Sequence, residues 1–265
     1  MKYVVCVKLT PDTEELDEVQ PEDVGSGHLD ATLVLNPWDE FAVEEALQLQ
    51  ERFEGDTVAI TVGSEGSIEA LKRAVAMGIE QAALLSDETF EGSDAWGTAH
   101  ILAEAIKQTA DSRLVITGRQ SVDGSSGLVP AGLAVKLGWP FVSQVAKILD
   151  MTGDSITVVR ALDEGMQIVR VKLPAVISVS KEINEPRLAS FMGIRKASRM
   201  QYPAENAADL AGLDRGQFGA QNAGIRWTNL RKPPARANKC HFIEDPSVAD
   251  QASALAEKLI ADKVI

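Results

Sequence analysis

The stretch "TGRQSVDGSSG", residues 117–127, gathers an acid, three glycines and three serines just after a short apolar run. Gly124 and Gly127 allow close approach of backbone to a ligand. Ser125 and Ser126 bring hydroxyl and N–H donors that suit a phosphate; Asp123 suits ribose hydroxyls and repels a phosphate. That combination describes a nucleotide holder. An isolated D-G-S-S-G stretch also suits a surface turn with a helix cap. Three more segments follow apolar runs in the same way, at 6–13, 36–39 and 62–66.

Other chemistry finds little support. No G-x-G-x-x-G follows the first strand, and no G-x-x-x-x-G-K-[ST] occurs, which argues against a dinucleotide dehydrogenase and a P-loop enzyme. His28, His100 and His241 are far apart in sequence, without cysteine or acid at metal-ligand spacing. His100 falls within an amphipathic helical pattern and reads as structural. There is no G-x-S-x-G elbow. Asp163 and Glu164 are paired acids, but they occupy a tight turn and read as solvated turn residues. No catalytic residue and no metal site is expected. The chain holds something rather than transforming it.

Such loops need a frame. "YVVCV" (3–7) is a β-branched run typical of a strand buried on both faces, and "ATLVLN" (31–36) is read as a second. Asn36-Pro37 opens a helix whose apolar stripe is Trp38, Ala42, Ala46, Leu49 and Phe53, with Glu44 and Glu45 expected on the opposite, polar side. The pattern then repeats. "TVAITVG" (57–63) leads to Ser64 as cap and a helix with Ile68, Leu71 and Val75 ending at Gly78; "AALLS" (82–86) leads to Ser93 as cap and a helix with Ala99, Leu102 and Ile106. "RLVITG" (113–118) leads into the first loop and a helix to about Gly138. Alternation of this kind predicts an α/β fold: a mostly parallel sheet with helices on both faces, Rossmann-like, with ligands beyond the carboxyl ends of the strands.

Around Asp163-Glu164-Gly165 an antiparallel hairpin is expected, and "PAVISVS" (174–180) is placed to return to the sheet. The expected domains are an α/β nucleotide-binding domain at 1–200 and an extended arm at 201–265, polar and poor in periodicity, ending in a helix on Val248, Ala252, Leu255 and Leu259. Trp227, Phe242 and Ile243 in that arm need cover, so it is expected to pack on another chain.

A net charge of −13 excludes the basic footprint that nucleic acid or an anionic membrane requires. Two cysteines, Cys6 and Cys240, make no disulfide framework. With neither a signal-peptide pattern at the start nor an apolar run of membrane-spanning length, a cytoplasmic location is expected. Against the acidic whole, "KEINEPRLASFMGIRKASR" (181–199) sets Lys181, Arg187, Arg195, Lys196 and Arg199 beside Phe191 and Met192. It reads either as a docking surface for an acidic partner or as a solvated loop.

The motifs resemble a family. "VKLTPDT" (7–13), "LNPWDEFAVEEAL" (35–47), "AVAMG" (74–78), "EGSDAW" (91–96), "GRQSVDG" (118–124) and above all "LPAVISVSKEINEPRLASFMGIRKA" (173–197) resemble the small (β) subunit of electron-transfer flavoproteins over nearly the whole chain. The resemblance implies a heterodimer with a larger α subunit, an FAD shared with that subunit, and AMP as a structural ligand of this one. It implies nucleotide contacts at Cys6, Asn36, Pro37, Trp38, Asp39 and Val62. It adds the run Asp123, Gly124, Ser125, Ser126, Gly127, Leu128, Val129, Pro130, Ala131, Gly132, Leu133 and Ala134. Phe191, Met192, Arg195 and Lys196 fall in the segment that docks a partner dehydrogenase.

As an electron carrier, such a subunit works between a flavin dehydrogenase of the acyl-CoA type, as in fatty acid oxidation, and a quinone reductase or similar acceptor. In electron-bifurcating, NADH-using relatives a second FAD replaces AMP, and their loop reads roughly D-G-D-T-A-Q-V-G-P. Here it reads D-G-S-S-G-L-V-P-A, without the Thr-Gln pair. "GWP" (138–140) resembles the AMP type, while "VKLTPDT" and "GRQSVDG" resemble the bifurcating type; AMP is the expectation, with FAD the alternative. A stand-alone nucleotide-binding module of the stress-protein kind shares the architecture and is a further alternative.

Overall fold

A computed structural model describes residues 1–16, 19, 20, 22, 24, 30–233, 240–244 and 246–264. Two compact units are present, Met1–Leu230 and Arg231–Ile265.

The larger unit is organised by β1 (Lys2–Cys6), whose residues Tyr3, Val4 and Val5 are fully buried. A strand covered on both faces has no polar side to turn to solvent, so its sequence is continuously apolar. It pairs in parallel with β4 (Asp56–Val62) on one side and β6 (Ser112–Gly118) on the other, with Cys6 opposite Ile60 and Thr117. With β5 (Gln81–Leu85), β7 (Phe141–Met151), β8 (Ser155–Leu162), β9 (Gly165–Lys172), β10 (Ala175–Val179) and β11 (Ala204–Glu205) the order is β11-β5-β4-β1-β6-β10-β7-β8-β9. The "PAVISVS" run does return: β10 lies between β6 and β7, parallel to both. Strands β8 and β9 form the expected hairpin, from Ser155↔Lys172 to Leu162↔Gly165 with Asp163-Glu164 as its turn.

Helices cover both faces of the parallel part. On one face, α1 (Pro37–Phe53) and α2 (Ile68–Met77) bury Ala42, Ala46, Leu49, Ala70, Leu71 and Ala74. On the other, α3 (Ala95–Gln108) and α4 (Leu128–Leu137) bury Ala99, Ile101, Ile106, Leu133 and Ala134. Each fully buried Leu or Ile contributes about 1.5–3 kcal/mol, so the alternation of apolar runs and stripes is what fixes the layers.

Four expectations change. The 31–36 run does not enter the main sheet: only β3 (Leu33–Leu35) is extended, and it pairs antiparallel with the short β2 (Leu9–Pro11), where Pro11 offers no N–H to extend the ladder. Asp94, not Ser93, caps α3, accepting from the N–H groups of Trp96 (3.0 Å) and Gly97 (2.9 Å). A 3-10 turn, Glu65–Ser67, separates Ser64 from α2. Finally, 201–230 packs with the larger unit: β11 pairs with β5, and Ala207, Leu210 and Phe218 are buried, Phe218 edge-on to Phe90 at 5.4 Å. Its apolar residues are few and irregularly spaced, which hides this packing from periodicity. In the smaller unit α6 (Val248–Ala261) is the expected terminal helix, and none of its residues is buried.

No helix among the described residues is long and apolar enough to cross a membrane, and no cluster of potential metal ligands occurs among them. His28 lies outside the described residues.

Candidate functional site

The carboxyl ends of β1 and β6 and the start of α1 meet at Asp39. Its side chain, 6% exposed as a residue, accepts from the Lys8 N–H at 2.9 Å and receives a further backbone hydrogen bond from Gly118. Burial pushes its carboxyl up to about 7, although Asn36 and those two amides oppose the shift. A Cβ at Gly118 would lie 2.5 Å from Asp39 Oδ1 and 2.6 Å from the Trp38 backbone, so only glycine lets β6 end here. The Cys6 thiol is buried too; burial, then the neighbouring Asp39, pushes it up to about 12 and leaves it an inert thiol.

Asn36 stands at the N-cap of α1, but its side chain does not cap that helix. Its Nδ2 donates to the Gln120 carbonyl at 2.9 Å and its Oδ1 accepts from the Val122 N–H at 3.2 Å. One buried amide therefore holds two backbone groups of the 119–127 loop. From the other side Lys8 Nζ reaches Asp123 Oδ2 at 2.6 Å. Burial raises the Asp123 carboxyl, but its bonds to Lys8 outweigh this and hold it below the usual range, so it is an anion.

The loop ends in Ser125 (φ 50) and Gly127 (φ 59), both left-handed, and Gly127 caps α4 without a side-chain acceptor. The first-turn amides of α4 are thus left to other partners; Leu128 N–H has only a long 3.4 Å contact to Ser126 Oγ, and Pro130 has no N–H. Arg119 lies over the Trp38 ring at 5.9 Å. Together these groups, referred to below as the cleft, offer a helix N-terminus to an anionic group, the Asp123 carboxylate to hydroxyl groups, and two cations beside them. The residues present fit a nucleotide.

Of the predicted contacts, Cys6, Asn36, Asp39, Asp123 and Gly124 to Leu128 belong to this cleft; Pro37 and Trp38 start α1 beside it, and Val62 ends β4. Farther along α4, Pro130, Gly132, Leu133 and Ala134 turn inward, Gly132 against Trp96 and Ala99, while Val129 and Ala131 are half-buried. Lys8, Arg119 and Gly118 were missed by sequence reasoning. The signal was available for Lys8 and Arg119, each a cation one or two residues beyond a buried strand.

The second candidate segment, 181–199, lies along α1 and α2. Ser190 caps α5 (Phe191–Arg199), accepting from Gly193 N–H at 2.9 Å. Leu188, Phe191, Met192 and Ile194 are exposed, Phe191 to 80%. Arg195 and Arg199 are exposed as expected, but Lys196 donates to the Ile79 carbonyl at 3.2 Å and Arg187 turns inward to α1. There it meets Glu44, which is buried with Glu45 rather than facing solvent. Burial raises Glu44, yet hydrogen bonds from Arg187 and Gln48 outweigh it and lower its pKa; Glu45, with only Asn184 and a more distant Arg52 to oppose burial, is raised. His100 is structural: its Nε2 accepts from the Asp214 N–H at 3.0 Å.

Comparison with known proteins places the whole chain in one family. The profile of the family described as "Electron transfer flavoprotein domain" matches residues 29–210. The "Electron transfer flavoprotein subunit beta" of Mycobacterium tuberculosis is 34% identical over 267 residues, covering 99% of this chain and 98% of that protein. Its counterpart from Megasphaera elsdenii is 31% identical over the full length of both chains. "Protein FixA" of Bradyrhizobium diazoefficiens is 30% identical over 95% of this chain and 89% of its own. A buried carboxylate joining two strand ends, an asparagine holding the 119–127 loop and a segment bound to the flank of α1 are therefore features of a chain that belongs to the electron transfer flavoprotein family, among its β subunits.

Proposed function

We propose that this chain, with a larger α subunit, forms a heterodimer that carries electrons on FAD from a flavin dehydrogenase of the acyl-CoA type to a quinone reductase or similar acceptor. In this reading the cleft described above holds AMP as a structural part. The observation that carries it is the pre-set 119–127 loop: Asn36 and Lys8 fix it from two sides, and it ends in a helix start with no side-chain cap. The phosphate sits at the amides of Leu128 and Val129 with the hydroxyls of Ser125 and Ser126, and Asp123 takes the ribose hydroxyls. FAD supplies the redox chemistry when bound; this chain binds, orients and sets the local charge. No side chain of the cleft acts as an acid or base: Asp39 is buried and Asp123 is paired.

The smaller unit carries exposed Phe242, Val248 and Leu255, and in the larger unit Ile225 and Trp227 are exposed as well. These are the residues expected to lie against the α subunit. The exposed apolar residues of 188–194 receive the dehydrogenase. Extraction of the co-purified heterodimer tests the reading: one FAD and one AMP per heterodimer is expected, whereas two FAD and no AMP would make it a bifurcating component. A chain that purifies alone and free of adenine nucleotide would refute both.

A further inference from the structure

Segment 181–199 contains no strand and a single nine-residue helix, yet four large apolar side chains project from it. An unsupported loop would fold them back or leave them disordered in orientation, losing entropy on every docking event. What holds it is a set of contacts to α1 and α2. The Arg187 guanidinium binds Glu44 with two nitrogens, Nε at 2.8 Å and a terminal nitrogen at 3.1 Å, and reaches Glu51 with the other terminal nitrogen at 2.8 Å. Arg187 N–H also donates to Glu44 at 3.1 Å, so backbone and side chain are gripped together. Three residues earlier, Asn184 donates to the Phe41 carbonyl at 3.1 Å and to Glu45 at 3.0 Å. Beyond the exposed stretch, Gly193 packs on α2 so closely that a Cβ would overlap the Ala76 carbonyl oxygen.

We propose that Arg187, seated between Glu44 and Glu51 of α1, is the positioning residue of the docking segment and sets where Leu188, Phe191 and Met192 stand. It is not a contact for the partner. Glu44, 4% exposed, has no other cation within the described ion pairs. A bidentate guanidinium–carboxylate pair fixes direction as well as distance, which a lysine ammonium does not. The neighbouring buried acids Glu44 and Glu45 are costly on a helix unless they serve such a purpose, and each holds one residue of the segment, Glu44 Arg187 and Glu45 Asn184.

The inference rests on the reading of 188–194 as a dehydrogenase-docking surface, and the test separates the two. The co-produced heterodimer is prepared as wild type, Arg187→Lys, Glu44→Gln, the double variant Glu44→Gln/Arg187→Gln, and Phe191→Ala. The double variant leaves neither partner of the Glu44–Arg187 pair charged without the other, so it keeps the test open where a single change unfolds the chain. Hydrogen exchange over 186–199, nucleotide content, and steady-state reduction by a purified acyl-CoA dehydrogenase with its substrate are measured. Arg187→Lys and the double variant are expected to speed exchange in 188–199 and to raise KM for the heterodimer about tenfold, with kcat within about twofold and nucleotide content unchanged. If Phe191→Ala raises KM while the Arg187 variants leave KM and exchange unchanged, the positioning role is refuted and the docking surface stands. If Phe191→Ala also leaves KM unchanged, or the wild type is not reduced, the docking reading fails and the proposal falls with it.

Discussion

Replacing Asn36 by alanine tests the cleft most directly. The change removes the donor to the Gln120 carbonyl and the acceptor for the Val122 N–H, both in a loop that has few other ties to the body. Each lost bond, with its partner left half-buried and unsatisfied, costs about 1–1.5 kcal/mol, so the two together cost about 2–3 kcal/mol. For a chain of this size that lowers the melting temperature by roughly 5–10 °C. On the proposed reading AMP is lost as well, because the 119–127 loop loses its fixed geometry and the nucleotide must then order it. Calorimetry of the heterodimer, with chromatography of the acid-extracted nucleotides, measures both. Asn36→Asp makes a useful companion: it keeps an acceptor for Val122 but sets a carboxylate against the Gln120 carbonyl, and is expected to do no better than alanine. A melting temperature within about 1 °C of wild type, with AMP still stoichiometric, would refute the reasoning.

Three further outcomes follow from the same geometry. Phe191→Ala, at a site 80% exposed, is expected to change stability by less than about 0.5 kcal/mol while slowing reduction by the dehydrogenase and leaving nucleotide content intact; lost nucleotide with normal reduction rates would contradict it. The Asp39 carboxyl is held up at about 7 in the folded chain against 3.8 when exposed, so its stabilising contribution is complete below pH 3.8, declines as pH rises to 7 and is constant above. The stability of wild type minus that of Asp39→Asn should therefore fall as pH rises from 5 to 7 in urea titrations, by up to about 1.4 kcal/mol per pH unit, and a constant difference would count against a carboxyl held up in this way. Gly193→Ala drives a methyl into the Ala76 carbonyl and should cost about 1–3 kcal/mol with loss of exchange protection in α5; a neutral result would mean α5 does not rest on α2 as described.

How far the sequence led depends on the kind of order. Strands such as 3–7 and 113–118 are apolar throughout because both faces are covered, and that is visible without a structure. The 119–127 loop between β6 and α4 was visible through its glycines and its place after a strand. Burial of Glu44 and Glu45 was not, because an acid at a helical position looks solvated until its partner is known, and Arg187 lies 143 residues away from Glu44. Asn36 reads as a cap from its place before Pro37, yet its side chain spans 84 residues to Gln120 instead. Segment 31–36 has a strand's composition and takes up the pairing of a short antiparallel ribbon, a choice made by neighbours rather than by propensity.

The strand order also bears on how the molecule is made. Strand β10 is the last of the central strands to be synthesised, yet it fills the gap between β6 and β7. Until residue 179 has left the ribosome, those two strands present open edges, and a chain stopped anywhere in the preceding hairpin is prone to pair with its neighbours. Residues 181–199 come next, so their exposed apolar side chains emerge only after the last central strand and the two helices that hold them have been made.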